Sequence, residues 1–164
     1  MEATADDRHR IVVRRRIAMA RELVYQAWTD PEGLKEWMCP GDVISAEANL
    51  DLRVGGSFRI IMRSKSEVHE HVGTYRIVDP PAKLSFTWSG MDNPSEITLV
   101  TVEFIDRDDE CELVITHEGF TKGNLAQRYK MGWGTISRKF AEFLARRSNK
   151  SAIHNAKKAI EVSG

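Results

Sequence analysis

The sequence predicts an α+β domain in which one antiparallel sheet meets a single long C-terminal helix. Two observations carry that prediction. Between Gly41 and Phe120, runs of alternating apolar and polar residues are separated by short turn signals, a pattern that favours hairpins over parallel crossovers. From Asn124 the period changes: Tyr129, Trp133, Ile136, Phe140 and Phe143 step by four, three, four and three, which is one stripe along a helix. The 164-residue length suits one domain with a single core.

The elements follow in chain order. Residues 1–8 are polar and expected to be loose. His9 to Met19, "HRIVVRRRIAM", reads as a strand that turns Ile11, Val13, Arg15 and Ile17 to one face and Arg14 and Arg16 to the wet face. "ARELVYQAWTDPEGLKEWM" gives two short helices. Leu23, Val24, Ala27 and Trp28 share the first apolar face. Asp30 caps the second helix, Pro31 opens it, and Leu34 and Trp37 point inward from it. One strand precedes Asp51 and another starts at Ser57, with Gly55-Gly56 as the turn and Phe58, Ile60 and Met62 on one face.

"HEHVGTYRIVDPP" places His69, His71, Gly73, Tyr75 and Ile77 on one face and ends at Pro80-Pro81. Leu84, Phe86 and Trp88 form the next row, and "GMDNPSE" reads as a loop. Two further strands are joined at Asp106–Asp109, with inner rows Val100, Val102, Phe104 and Leu113, Ile115, His117. The last helix is expected to end near Arg147, about 35 Å long at about 1.5 Å per residue. Residues 148–164 are then a loose polar tail or a docked extra turn.

Composition excludes several function classes. Lys plus Arg equals Asp plus Glu, so there is no bulk attraction to nucleic acid or anionic lipid. No segment approaches the roughly 20 apolar residues of a membrane span. Cys39 and Cys111 form no CxxC and read as reduced thiols of a cytoplasmic protein, and Met1–Arg10 lacks the apolar run of a secretory signal. No pair of acids shares an inner face, which argues against glycosidase chemistry. There is no GxSxG, no P-loop and no GxGxxG in strand–helix context.

Three features invite chemistry. "MGWGTI" sets Gly132 and Gly134 about Trp133 inside a helix, where each glycine costs about 1 kcal/mol. The expectation is that Trp133 faces the sheet as a core residue or a cavity wall, and that the glycines let neighbouring backbone come close. Gly73, on an inner row, marks either a hollow or a bulge that curves the sheet. His69, His71 and His117 are expected to project inward. His-x-His could pair on a metal, but the strand of His117 is no neighbour of theirs in a meander, so no metal site is expected. His117 reads as a hydrogen-bonded residue near a strand end or as a polar group in a pocket.

"DPEGLKEWMCP", "DLRVGGSFRI", "VGTYRIVDPPAKLSFTW", "VTVEF", "LVITHEGF" and "GWGTISRKFAEFL", in that order, resemble the SRPBCC or START-like superfamily. The specific likeness is to bacterial proteins similar to the activator of heat-shock protein 90 ATPase, over residues 9–147. The resemblance implies a helix-grip fold: a curved antiparallel sheet of about seven strands around the long last helix, with two short helices closing one end and an apolar cavity between.

Residue types and resemblance together give the first function expected: binding of a small hydrophobic molecule. Phe58, Ile60, Met62, Tyr75, Phe86, Trp88, Trp133, Ile136 and Phe140 would line its pocket, and His71 and His117 would orient it. No cofactor is expected. The second is a polyketide-cyclase-like enzyme using His117, His71 and Tyr75 to move protons. The third, invited by the family, is a chaperone partner, although the separate N-terminal domain of the eukaryotic activators has no counterpart here.

Overall fold

The computed structural model describes residues 9–90 and 93–163, with the side chains of 93 and 149–163 outside that description. The elements are β1 (His9–Ile17), α1 (Arg21–Trp28), α2 (Pro31–Trp37), β2 (Ser45–Leu50), β3 (Ser57–Arg63), β4 (Val68–Asp79), β5 (Lys83–Gly90), β6 (Asn93–Arg107), β7 (Glu110–Phe120) and α3 (Gly123–Ser163). They build a seven-stranded antiparallel sheet in the order β1-β7-β6-β5-β4-β3-β2. Strands β2 to β7 form a meander, and β1 closes on β7.

That order sets the position of everything else. β1 and β2 are consecutive in the chain but lie on opposite edges of the sheet. The segment between them must cross the concave face, and α1 and α2 are that segment. Asp30 caps α2 by accepting from the Glu32 N–H at 3.1 Å, with Pro31 at its first position. α2 packs on β2 and α3, while α3 lies against β1 and β7. The concave face is therefore shared: α3 covers the β1–β7 half and the short helices cover the rest.

The inner rows are buried as alternation requires. Val100, Val102, Phe104, Leu113, Ile115 and His117 are all fully inaccessible. On the outer face Arg14 and Arg16 pair with Glu112 and Glu110 at 3.7 and 2.9 Å, as a solvated strand face should. Arg15, on the inner side, donates from Nε to the buried Ser137 hydroxyl of α3 at 3.0 Å.

Several expectations change. Leu23 is 53% exposed, and Tyr25 takes its place on the buried face of α1, because the face is set by Phe104, onto which the Tyr25 ring packs edge-on. A bulge between Tyr75 and Ile77 reverses the alternation of β4, so Ile77 is 38% exposed and Val78 packs on the core instead. Residues 93–96, read as loop, belong to β6, where Asn93 pairs with Gly90; Met91 and Asp92 lie outside the described residues. The expected loose N-terminus, residues 1–8, lies outside them too.

α3 does not stop near Arg147 but continues to Ser163, giving 41 residues. Residues 148–163 contain no Gly or Pro and are rich in Ala and Lys, so nothing halts propagation once the helix is started.

Candidate functional site

One apolar cleft opens between the short helices and the sheet. Trp28 and Thr29 at the end of α1, and Leu34 and Met38 of α2 and its C-terminal cap, form one wall. Leu50 of β2, Phe58 and Ile60 of β3, Tyr75 of β4, and Phe86 and Trp88 of β5 form the other. No lining residue is charged. The space open to the centre of a water molecule is about 20 Å³, enough for one water.

The small volume has a visible cause. The rings of β3, β4 and β5 fill the space between sheet and helices: Phe58 lies 5.2 Å from Phe86, 5.7 Å from Tyr75 and 5.8 Å from Trp88, centroid to centroid. Gly73 is what admits Phe58. A Cβ there would stand 2.5 Å from the Phe58 ring and 1.8 Å from the Thr87 carbonyl oxygen. The glycine therefore marks close packing, not a hollow.

Behind this wall sits His117, fully buried on β7. The Trp133 indole N–H donates to its Nδ1 at 2.9 Å. An indole can only donate, so Nδ1 accepts and the ring proton resides on Nε2. Nε2 then donates to the Thr98 hydroxyl at 2.7 Å, and that hydroxyl donates to the Trp88 carbonyl at 3.1 Å. The Trp88 indole donates in turn to the Tyr129 hydroxyl at 3.2 Å. β5, β6, β7 and α3 are thus tied by one chain of directed hydrogen bonds.

Both ring nitrogens of His117 are occupied. A second ring proton would point Nδ1–H at the Trp133 N–H. Burial, and secondarily the nearby His71, lower its pKa from 6.5 to about 3. It is a neutral structural imidazole with no nitrogen left for a ligand or for proton transfer in this arrangement.

Of the residues expected to line a pocket, the structure brings Phe58, Ile60, Tyr75, Phe86 and Trp88 to the cleft. Met62 is buried outside the cleft lining, and Ile136, Phe140 and Trp133 belong to the α3 core stripe. His71 stacks on Trp88 with ring centroids 4.7 Å apart and is not among the residues lining the cleft. His69 lies near the rim with its side chain 39% exposed, bonded to Glu67 at 3.0 Å, and so does not project into the interior as expected. No metal-binding group of His, Cys, Asp or Glu occurs among the described residues.

The "MGWGTI" segment is half explained. Trp133 is there for His117. The glycines are not required by close approach: a Cβ at Gly134 would meet nothing within 4 Å, and one at Gly132 would rest 3.7 Å from the Pro40 Cβ. Nothing in the structure explains the two glycines.

Sequence reading missed Thr29, Met38 and Leu50, and did not assign Trp28 and Leu34 to the pocket. Their meeting depends on β1 and β2 standing at opposite edges, which no local pattern encodes.

The family model described as "Activator of Hsp90 ATPase homolog 1-like protein" matches residues 18–145. The chain belongs to this family. Its fold is shared with solved relatives. An AHSA1-like protein from Aeromonas hydrophila is 25% identical, with a TM-score of 0.71 over 85% of this chain and 94% of that one. The AHSA1 protein SPO3351 from Silicibacter pomeroyi is 21% identical, with a TM-score of 0.73 over 85% and 99%. DynU16, described as a putative protein in the dynemicin biosynthetic locus, is 18% identical, with a TM-score of 0.70 over 83% of this chain and 47% of that chain. No curated protein matches the chain. The space between sheet and helices, expected from the resemblance to be hollow, is in this chain largely occupied by its own aromatic rings. No helix among the described residues is long and apolar enough to cross a membrane.

Proposed function

We propose that the protein binds a small apolar molecule in the cleft between α1–α2 and β3–β5. The observation that carries this is the cleft itself: an uncharged, aromatic-lined opening between the short helices and the sheet. Membership of a family on a fold built around such a space supports it, as does the likeness to a protein of a biosynthetic locus. At about 20 Å³ the ground state admits only a water-sized guest, so binding selects a minor conformation in which side chains of the cleft swing aside. Met38 is the natural gate, being unbranched and placed just past the end of α2. The segment that follows it is pinned to α3, where the Lys139 ammonium donates to the Cys39 carbonyl at 2.6 Å.

An enzyme using His117 as an acid or base is disfavoured by the two hydrogen bonds that occupy its ring. The reading is tested with an environment-sensitive apolar dye. The dye binds the wild type and is displaced by small aromatics, and Leu50→Trp at the half-buried cleft wall weakens it at least about tenfold, the equivalent of about 1.4 kcal/mol. Equal binding by wild type and variant, or none by either, contradicts the reading.

A further inference from the structure

The zero net charge of the chain hides a segregation. α3 carries nine Lys and Arg against two Glu, so the rest of the chain carries fifteen basic residues against twenty-two acidic ones. A basic helix on an acidic remainder makes the molecule an electric dipole, and an anionic partner is drawn to α3 first.

The outer face of α3 is open to such a partner. Its aromatic residues Tyr129, Trp133, Phe140 and Phe143 all pack on the core. Met131, by contrast, is 76% exposed. Met131, Gly134 and Arg138 follow at i, i+3 and i+7, which is one face of a helix. A Cβ at Gly134 would meet nothing within 4 Å, so the backbone is bare there. Arg128, Lys130 and Arg146 are exposed on the same helix and form no ion pair among the described residues. Arg128 and Arg146 are separated by about five turns at about 3.6 residues per turn, so they stand on the same side. Arg138 pairs with Glu142 at 3.0 Å, both side chains being 52% exposed.

An exposed methionine among unpaired cations fits a lipid surface. A bilayer offers phosphates to the cations and an acyl boundary to the apolar side chain, and it is flat enough to meet a straight helix along its length. A nucleic acid would meet the cations equally well. It gains little from the methionine, and no aromatic ring of α3 is left free for a base to stack on.

We propose that the outer face of α3 docks on an anionic lipid bilayer, with Met131 entering the head-group layer and Arg128, Lys130, Arg138 and Arg146 meeting lipid phosphates. The helix lies on the membrane and does not cross it. This surface is separate from the cleft, and the proposal stands whether or not the cleft binds a ligand.

The test is co-sedimentation of the full chain with vesicles of phosphatidylcholine, alone or with about one-third phosphatidylglycerol. The expected result is at least about tenfold tighter binding to the anionic vesicles, lost in roughly 0.5 M salt. Arg128→Glu/Arg146→Glu should weaken that binding at least about tenfold. Lys65→Glu/Arg76→Glu makes the same change in net charge at exposed positions outside α3 and should alter binding less than about threefold. Met131→Ser should weaken it roughly threefold, an effect that a purely electrostatic contact would not show. Matching thermal melts confirm that each variant is folded. Failure of the wild type to bind anionic vesicles, equal binding to both lipid compositions, or equal weakening by the two charge reversals overturns the proposal. So does tighter binding to a short DNA duplex than to the anionic vesicles at the same salt.

Discussion

Acid should loosen this protein through His117 in particular. The group is fully buried, and its pKa falls from 6.5 to about 3 on folding, chiefly through burial. Below the unfolded value the unfolded chain binds the proton and the folded one does not. The contribution to stability is thus complete above about pH 6.5 and drains away as pH drops toward 3. Between pH 7 and 5 the linkage relation gives a loss of about 2 kcal/mol from this one residue. His117→Gln supplies the control, since the amide can offer one acceptor and one donor but does not titrate. Urea unfolding of both proteins at the two pH values isolates the term: wild type should lose about 2 kcal/mol more than the variant. Imidazole nitrogen shifts in the wild type should independently report a neutral ring with the proton on Nε2 down to about pH 4. Equal losses in the two proteins, or a ring that protonates near its ordinary value, would refute the hydrogen-bond assignment.

Three further substitutions probe the packing. Gly134→Ala fills open space inside α3 and should stabilise by about 1 kcal/mol, read as a raised Tm; a lowered Tm would mean the helix is not regular there. Gly73→Ala drives a methyl into Phe58 and the Thr87 carbonyl and should destabilise by about 3 kcal/mol or more by denaturant unfolding, with a neutral outcome contradicting the close approach. Trp133→Phe strips the donor from His117 Nδ1 and shrinks a buried ring, so a loss of about 3 kcal/mol is expected, accompanied by a rise in the His117 pKa that a purely steric role for the indole would not produce.

Much of the fold could be read from residue order because local patterns were strong where the structure is regular. The α3 stripe from Tyr129 to Phe143, the cap at Asp30-Pro31 and the inner rows of β3, β5, β6 and β7 all lie where periodicity puts them. Failures came where tertiary context overrules period. The bulge at Arg76 turns Ile77 outward, and the neighbourhood of Phe104 chooses Tyr25 over Leu23. The end of α3 was missed because a polar run without Gly or Pro carries no stop signal.

The candidate site was less legible. A row of inward aromatics is the same text whether it walls a cavity or fills one, and here Phe58 seated over Gly73 fills it. His117 shows the same ambiguity: its sequence position says buried, but only the approach of Trp133 and Thr98 says that its nitrogens are taken. The cleft wall from α1 and α2 depends on a crossing between opposite sheet edges, which no window of sequence contains.

A titration of methyl-labelled protein with indane, followed by nuclear magnetic resonance, tests ligand entry at the cleft most directly. The methyls of Leu34, Met38, Leu50 and Ile60 should shift in a saturable manner, while those of Leu113, Ile115 and Ile136 stay put. Unmoved cleft methyls, or shifts centred on the β7–α3 side, would contradict it.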